Sequence, residues 1–356
     1  MTADFGFRTG TRRLYQDHYG EIPNSLSALM KENLSHEMEE FRRSLRFKHY
    51  KPVVGDAPTG IAKIGKATND GLSRLMGALD RFLEEKNIIP KLTPPPQMST
   101  FDSPEFQKEL EHIESLTLTS HQVEEVEHAR IARYGDMDSP LWVKVPFFAL
   151  CWLLDALYEN RPIQKFWVLE TVARIPYFAY ISILHLYESL GLWRAGAELR
   201  KVHFAEEWNE MHHLQIMESL GGDQHWFDRF FGQWAAVGYY WLIIAFYMFS
   251  PKIAYNFMQR VELHAYDTYA AFVEVNRDLL KQIPPPMVAL SYYRTKDLYL
   301  FDEFQQNPSE TVQKRRPECS DLYDTFVNIR DDEFEHVRTM IACQDDTVAK
   351  TLAIKS

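Results

Sequence analysis

The chain has 356 residues, enough for one large domain with an extension or for two small domains. Hydrophobic residues make up 46% and aromatic residues 14%, which predicts a packed core and excludes a wholly disordered chain. The formal net charge of −11 argues against a nucleic-acid-binding protein that works through phosphate contacts.

Residues 1–100 are predicted to be an N-terminal extension whose role the sequence does not reveal. Helical patterns cover 25–46 and 72–87, and a segment rich in Gly, Pro and Lys joins them. The first fifty residues carry charges of both signs and no apolar segment, so they match neither a secretory signal nor a transit peptide. The proline-rich run at 91–97 predicts a stiff linker and a domain boundary.

Residues 101–140 are predicted to be an acidic, partly helical connector, and residues 346–356 a C-terminal tail. Between them, residues 141–345 show long, aromatic-rich helical patterns without the alternation of a β-sheet, which indicates an all-α domain. A segment at 287–320 breaks the pattern and is interpreted as an excursion from the helical core. The predicted helices are 140–158, 163–190, 195–219, 225–249, 252–281 and 321–345.

Two stretches are too apolar for an ordinary protein surface. Trp234–Phe249 is sixteen residues without a charge, and Pro146–Leu154 is a shorter run of the same kind. Sixteen helical residues span ~24 Å, less than the ~30 Å hydrocarbon core of a bilayer. A buried central helix is one interpretation. Insertion into one leaflet is favoured, because Lys144 and Lys252 stand near the apolar runs and suit an interfacial plane.

The pattern Glu-x-x-His occurs four times and places both side chains on one face of a helix. Two of the pairs, Glu109/His112 and Glu125/His128, lie in acidic, polar surroundings. A solvated helix face explains these two pairs, so they are not predicted to be sites.

The other two pairs, Glu210/His213 and Glu333/His336, lie among large apolar side chains. A carboxylate drawn into a core costs several kcal/mol unless it is paired or binds a cation. Two such pairs on separate helices therefore indicate a metal site. The alternative is a buried salt-bridge network, for which the available cations are Arg174 and Arg330.

Two further acidic residues complete the pattern of a dinuclear site. Glu170 and Glu262 each stand on an otherwise apolar helix face, so the chain order is Glu, Glu-x-x-His, Glu, Glu-x-x-His. Oxygen donors with one imidazole for each metal favour iron or manganese over zinc or copper. The predicted fold is an all-α, ferritin-like four-helix di-iron bundle with additional membrane-interfacial helices. The predicted ligands are Glu170, Glu210, His213, Glu262, Glu333 and His336.

Three segments resemble the alternative oxidase family, and within it the plastid terminal oxidase branch. They are Leu169–Phe178, Trp208–Leu214 and Arg330–His336. Within the excursion, Asp297–Phe304 resembles the additional segment that marks the plastid branch. The resemblance covers roughly residues 141–345 and matches the same six residues to the ligands of two iron ions.

The resemblance implies a monotopic, homodimeric quinol:oxygen oxidoreductase. Such an enzyme passes four electrons from two quinols, here plastoquinol or a related quinol, to O2 and forms water without pumping protons. Its partners are then the quinol, O2, the lipid of one leaflet and a second copy of the chain. The implied location is the plastid thylakoid membrane, or the cyanobacterial thylakoid membrane if the source is prokaryotic.

The resemblance also implies roles for residues beside the ligands. Tyr269 matches a tyrosine next to the irons that can donate an electron and a proton during O–O cleavage; the alternative is one more packing aromatic. Asn209 and Asp332 match positions that orient the histidines. The family commonly has Arg where Lys165 stands, so a bidentate contact is not available there. The residues matched to the quinol are Lys165, Leu169, Val261 and Thr268.

Two other functional classes remain open from the sequence. One is a different di-iron bundle enzyme, such as a hydroxylase, a desaturase or a ferroxidase. The other is a membrane-associated structural protein without catalysis. The apolar stretches and the three family-like segments favour the quinol oxidase. Nucleotide-binding, dithiol and nucleophilic-serine motifs are absent from the sequence, and three scattered cysteines make no disulfide framework and indicate a reducing compartment.

Overall fold

The computed structural model describes residues 25–46, 60–92, 104–192, 197–294 and 317–348, and these residues form helices and connections without a β-strand. The all-α prediction is therefore confirmed. The helices are α1 Leu26–Arg46, α2 Gly60–Glu85, α3 Pro104–Glu114, α4 Ser120–Tyr134, α5 Leu141–Tyr158, α6 Pro162–Ser189, α7 Ala197–Ser219, α8 Trp226–Phe249, α9 Pro251–Val275, α10 Arg277–Leu280, α11 Met287–Arg294 and α12 Leu322–Cys343.

Two helices differ from their predicted bounds. Helix α2 begins at Gly60 rather than at residue 72, because an isolated glycine inside a helix costs only ~1 kcal/mol and does not have to end it. Helix α9 ends at Val275 rather than at residue 281. The side-chain amide of Asn276 donates to the carbonyl oxygens of Phe272 (2.9 Å) and Thr117 (2.8 Å), and so ties the end of α9 to the segment before α4.

The excursion predicted at 287–320 begins as a helix, because α11 packs against α7. The segment Asp297–Phe304, which resembles a plastid-branch feature, lies outside the described residues. Most of the predicted linker at 91–97 and of the C-terminal tail also lies outside them.

Four helices form the bundle that carries the site. Helix α6 packs against α7, and α9 packs against α12. Helix α8 covers α6 at close range, since a Cβ atom added at Gly232 would lie 2.9 Å from Cζ3 of Trp167. Helices α4 and α5 pack against α9. The predicted four-helix bundle is thus present, with further helices around it.

The outer faces of α5 and α8 are apolar and exposed. Helix α5 is the one helix in the described ranges that is long and apolar enough to cross a bilayer. This criterion considers only length and composition, so a single such helix does not by itself establish a membrane span. Its inner face packs on the protein core through Val143, Phe147, Leu154 and Tyr158. The exposed side chains of the two helices are Leu141, Trp142, Val145, Phe148 and Trp152 on α5, and Phe227, Phe230, Trp234, Val237, Trp241, Met248 and Phe249 on α8.

Candidate metal centre

The bundle brings all six predicted ligands into one buried cluster. Glu170 lies on α6, Glu262 on α9, and the two Glu-x-x-His pairs on α7 and α12. None of the six residues is more than 2% exposed. Each helix turns its acidic face inward because the remaining inward positions are apolar, so the carboxylates share a cavity that water does not reach.

The ligands divide into two groups of four. Glu170, Glu210, His213 and Glu333 form one group, and Glu210, Glu262, Glu333 and His336 form the other; within each group the ligand atoms lie within 4.8 Å of one another. Glu210 and Glu333 belong to both. The geometry therefore fits two cations that share two bridging carboxylates, with one further glutamate and one imidazole for each cation.

The hydrogen-bonding state of the cluster fits a bound cation. Both carboxylate oxygens of Glu210, and Nδ1 of His213, are buried without a hydrogen-bond partner. His213 Nδ1 lies 3.2 Å from Glu333 Oε1, yet neither atom makes a hydrogen bond. Buried polar atoms without partners cost about 1–3 kcal/mol each, which a coordinated metal ion would offset. The other such carboxylate atoms are Glu170 Oε2, Glu262 Oε2 and Glu333 Oε1.

A salt-bridge network does not account for the cluster. Across the described ranges, the ion pairs of its four glutamates involve only the two histidines. Arg330, which the sequence offered as a counter-charge, pairs with Asp331 at 2.7 Å instead. Two divalent cations would balance four ionised carboxylates, whereas the two histidines supply at most two positive charges.

Burial and crowding set the proton affinities of the metal-free cluster. Burial, followed by the charges of Glu210 and Glu333, raises the pKa of Glu170 well above its usual value. Burial raises the pKa of Glu262 in the same way. Burial acts against ionisation of Glu333 as well, but the adjacent His213 and His336 lower its pKa to about 2. The metal-free cluster therefore holds protons that a cation must displace.

We expect metal binding to release protons and to strengthen as pH rises. Glu170 and Glu262 have raised pKa values, and Asp332 and Glu333 raise the pKa of His213 to about 9 despite its burial. A raised pKa stabilises the folded protein at low pH and loses that effect as pH rises. The melting temperature of metal-free protein should therefore fall between about pH 5 and 9. Metal-loaded protein should show a smaller decrease, and equal slopes would contradict this account.

The orientation of His213 is fixed by Asp332. His213 Nε2 donates to Asp332 Oδ2 at 3.1 Å, so Nδ1 faces the carboxylates and can bind a cation once it has lost its proton. Asp332 Oδ2 also accepts from Asn209 Nδ2 at 3.1 Å and from the Tyr293 hydroxyl at 2.9 Å. Asn209 and Asp332 thus lie where the sequence placed them, beside a histidine. Tyr293, which contacts both Asp332 and His213, was not predicted from the sequence.

Replacing Asp332 by Ala should weaken metal binding by about 10- to 100-fold, because His213 would lose the partner that selects its tautomer. Asp331→Ala is the matched control, since Asp331 is the adjacent acid and its partner Arg330 lies at the surface. The metal affinity of each purified variant is measured by competition with a chelator. Equal affinities for the two variants would remove Asp332 from the support of the metal.

Two buried tyrosines donate hydrogen bonds to ligand carboxylates. The Tyr177 hydroxyl donates to Glu262 Oε1 at 2.6 Å, and the Tyr269 hydroxyl donates to Glu170 Oε1. Tyr269 lies on α9, the helix of Glu262, whereas its hydroxyl reaches across to Glu170 on α6. The ring of Phe166 stacks on Tyr269 with centroids 4.2 Å apart. Burial, with the charge of Glu170, raises the pKa of Tyr269 well above its usual value, so the phenol keeps its proton.

The sequence model of the alternative oxidase family matches residues 117–345, a range that includes all six ligands. The chain belongs to the alternative oxidase family. The match takes in α4 to α12, so it begins earlier than the resemblance seen in the sequence, and α1 to α3 lie outside it.

Relatives in this family have a plastid or a mitochondrial name. "Ubiquinol oxidase 4, chloroplastic/chromoplastic" of Arabidopsis thaliana is 55% identical over 192 residues, 54% of each chain. "Ubiquinol oxidase, mitochondrial" of Mangifera indica is 27% identical over 150 residues, 42% of this chain and 46% of the relative. "Alternative oxidase 3, mitochondrial" of Glycine max is 29% identical over 152 residues, with the same coverage. The chain spans about half the length of these curated relatives, and no solved structure gives a significant match.

The positions that the alternative oxidase resemblance matched to the quinol lie on two helices of the bundle, α6 and α9. Lys165 is buried, and its Nζ lies 2.8 Å from Asp155 Oδ1. The Thr268 hydroxyl donates to the carbonyl oxygen of His264 at 2.6 Å. Both polar groups thus already have partners within the protein, and their contact with a quinol stays a prediction. The four positions are Lys165 and Leu169 on α6 and Val261 and Thr268 on α9.

The remaining Glu-x-x-His pairs lie outside the buried cluster. Neither pair contributes to a metal-ligand group found in the described part of the chain. The Glu125 side chain is 67% exposed and pairs with His121 at 3.6 Å. His212, the neighbour of a ligand, instead donates from Nδ1 to the carbonyl oxygen of Trp208 at 2.7 Å. Polar surroundings in the sequence therefore distinguished the exposed Glu125 pair from the two buried pairs.

Proposed function

We propose that this chain is a di-iron quinol:oxygen oxidoreductase that oxidises plastoquinol or a related quinol. Two quinols give up four electrons and four protons, and one O2 molecule takes them up to form two molecules of water, without proton pumping. The single observation that carries the proposal is the pair of four-ligand groups that share Glu210 and Glu333, found in a chain of the alternative oxidase family.

The buried cluster and the residues around it have three tasks in this proposal: to hold the metal, to exclude water and to hold protons. The four glutamates and two histidines hold two iron ions, which supply the electron transfer to O2. The bundle excludes bulk water, since the ligands are at most 2% exposed. Tyr177 and Tyr269 hold protons at Glu262 and Glu170, at the oxygens to which they donate. Each phenol can therefore exchange a proton with a ligand carboxylate without solvent entering the cavity.

The proposal places the enzyme on one leaflet of a membrane, as a homodimer. The exposed apolar faces of α5 and α8 support this placement, because a quinol dissolved in lipid would then meet the protein next to α5. Lys165 and Asp155, whose ion pair joins α6 to α5, lie on this side. A relative with a chloroplastic name supports a plastid location. Within the plastid we propose the thylakoid membrane, or the cyanobacterial thylakoid membrane if the source is prokaryotic. Extraction should therefore need detergent.

Oxygen uptake by purified full-length protein tests the function directly. Reduced plastoquinone and ubiquinone analogues are supplied as the sole reductants, and iron is counted in the same sample. We expect two quinols oxidised for each O2 consumed, two iron ions per chain, and no accumulation of hydrogen peroxide. Oxygen uptake with ferrous iron but not with quinol would indicate a ferroxidase, and protein without bound metal would indicate a structural role.

A further inference from the structure

Helices α1 and α2 form a hairpin that lies outside the range matched by the family. One face of α2 is fixed against α1 by ion pairs. Arg42 Nε lies 2.7 Å from Asp80 Oδ1, and Arg46 Nη2 lies 2.7 Å from Glu84 Oε2. The backbones also approach closely, since a Cβ atom added at Gly77 would lie 3.2 Å from the carbonyl oxygen of Leu45 on α1. The rest of α2 is therefore turned away from α1.

The outer face of α2 carries an unpartnered apolar row. Its members follow one another at intervals of three, four and three residues, which places them on one side of the helix. They are between 51% and 68% exposed. A contiguous exposed row of this kind marks an interaction surface rather than a core. The row consists of Leu72, Leu75, Leu79 and Phe82.

The charges around this row are mostly basic. In residues 71–92 the exposed acidic side chain is Glu85, because Asp80 and Glu84 are held by α1. The exposed basic side chains are Arg74, Arg81, Lys86 and Lys91. This excess stands out on a chain whose formal net charge is −11. An amphipathic helix with an apolar row beside basic residues suits an anionic lipid surface.

The hairpin is joined to the apolar face of α8. The ring of Phe41 on α1 lies 4.6 Å from that of Trp226, and Arg229 Nε lies 3.2 Å from Glu37 Oε1. From Trp226 the ring contacts continue to Phe230 at 5.0 Å. Trp234 follows at 6.1 Å along the exposed side of α8. The hairpin is thus held at the edge of the surface assigned to the membrane.

We infer that the α1–α2 hairpin is a second lipid-contact element, which places the apolar row of α2 in the same leaflet as α5 and α8 and its basic side chains on anionic headgroups. This inference rests on the membrane attachment in the proposed function. The other partner that would cover such an apolar row is a second copy of the chain. Lipid is favoured because exposed basic side chains lie beside the row, and because α1 holds the hairpin against the aromatic end of α8.

Fluorescence quenching at single labelled positions tests the inference on the full-length protein. In a variant whose native cysteines are replaced by Ser, Leu79→Cys reports on α2 and Trp152→Cys reports on α5. Each carries an environment-sensitive fluorophore and is mixed with vesicles that contain nitroxide-labelled lipid. Both labels should be quenched in vesicles of phosphatidylglycerol and phosphatidylcholine. Phosphatidylcholine alone should lower the quenching at residue 79 more than at residue 152.

A matched pair of variants isolates the charge effect. Arg81→Glu should lower the partition constant for lipid contact, read from the quenching of the label at residue 79, by about fivefold or more. Each basic residue near an anionic surface contributes about 1 kcal/mol, which corresponds to about fivefold. Arg133→Glu, the same change at an exposed position on α4, should leave it unchanged.

The two labels also separate the ways in which the inference can fail. Quenching at residue 152 without quenching at residue 79 overturns the inference and leaves the proposed membrane attachment in place. Absence of quenching at both positions overturns the two together. Two results together overturn the inference in favour of a second copy of the chain. The label at residue 79 is shielded from water without lipid, and light scattering shows that Leu75→Glu dissociates the dimer.

Discussion

The Glu210→Ala variant is expected to lose both iron ions. Glu210 is one of two carboxylates that belong to both four-ligand groups, so its removal leaves each cation with three of the four ligands. Loss of a supporting residue alone costs about 10- to 100-fold in metal affinity, and loss of a ligand should cost more. Elemental analysis of purified protein should therefore find a fall from two iron ions per chain to almost none, with quinol oxidation abolished.

Two further substitutions show whether this loss is specific. Glu262→Ala removes a ligand from one group only, so it should abolish activity while retaining more iron than Glu210→Ala. Glu125→Ala, in a surface Glu-x-x-His pair, should retain iron and activity. Iron loss from Glu125→Ala would mean that the polar surroundings of that pair had been misread. Full iron occupancy in Glu210→Ala would rule out a bridging role.

The Tyr269→Phe variant is expected to keep its fold and its iron but to lose most of its turnover. The substitution leaves the ring stacked on Phe166 and removes only the hydroxyl that donates to Glu170. Reduction of one O2 to two water molecules needs four electrons, and two quinols supply them, two each. The buried phenol of Tyr269 would supply a proton at Glu170, and an electron that the second quinol restores. Loss of a proton-transfer group lowers turnover by about 10²- to 10⁴-fold.

Tyr266→Phe serves as the control for this change. Tyr266 lies on the same helix, and its ring contacts Phe334 near the surface rather than a ligand. The measurements are iron content, melting temperature and the rate of quinol oxidation for both variants. Near-normal oxidation by Tyr269→Phe would assign Tyr269 to packing alone. Reduced iron content would instead assign its hydroxyl to the support of Glu170.

Local sequence rules were sufficient to find the six residues that the structure brings into one buried cluster. Residues three apart share a helix face, so Glu210/His213 and Glu333/His336 could be recognised before any packing was known. The apolar neighbours of these pairs indicated burial, and the structure places all four side chains at most 1% exposed. The end of α9 was not predictable in the same way. It depends on the contact of Asn276 with Thr117, which is distant in the sequence.

The sequence by itself determined the all-α class, the order of the acidic and Glu-x-x-His helices, and the six candidate ligands, because each depends on periodicity within one helix. Tertiary structure alone decided which carboxylates belong to both four-ligand groups. Glu210 and Glu333 belong to both groups only because α7 and α12 face each other across the bundle. It likewise decided that Tyr269 donates to Glu170 rather than to Glu262 on its own helix. A helical pattern gives the direction of a side chain, whereas its partner depends on how neighbouring helices pack.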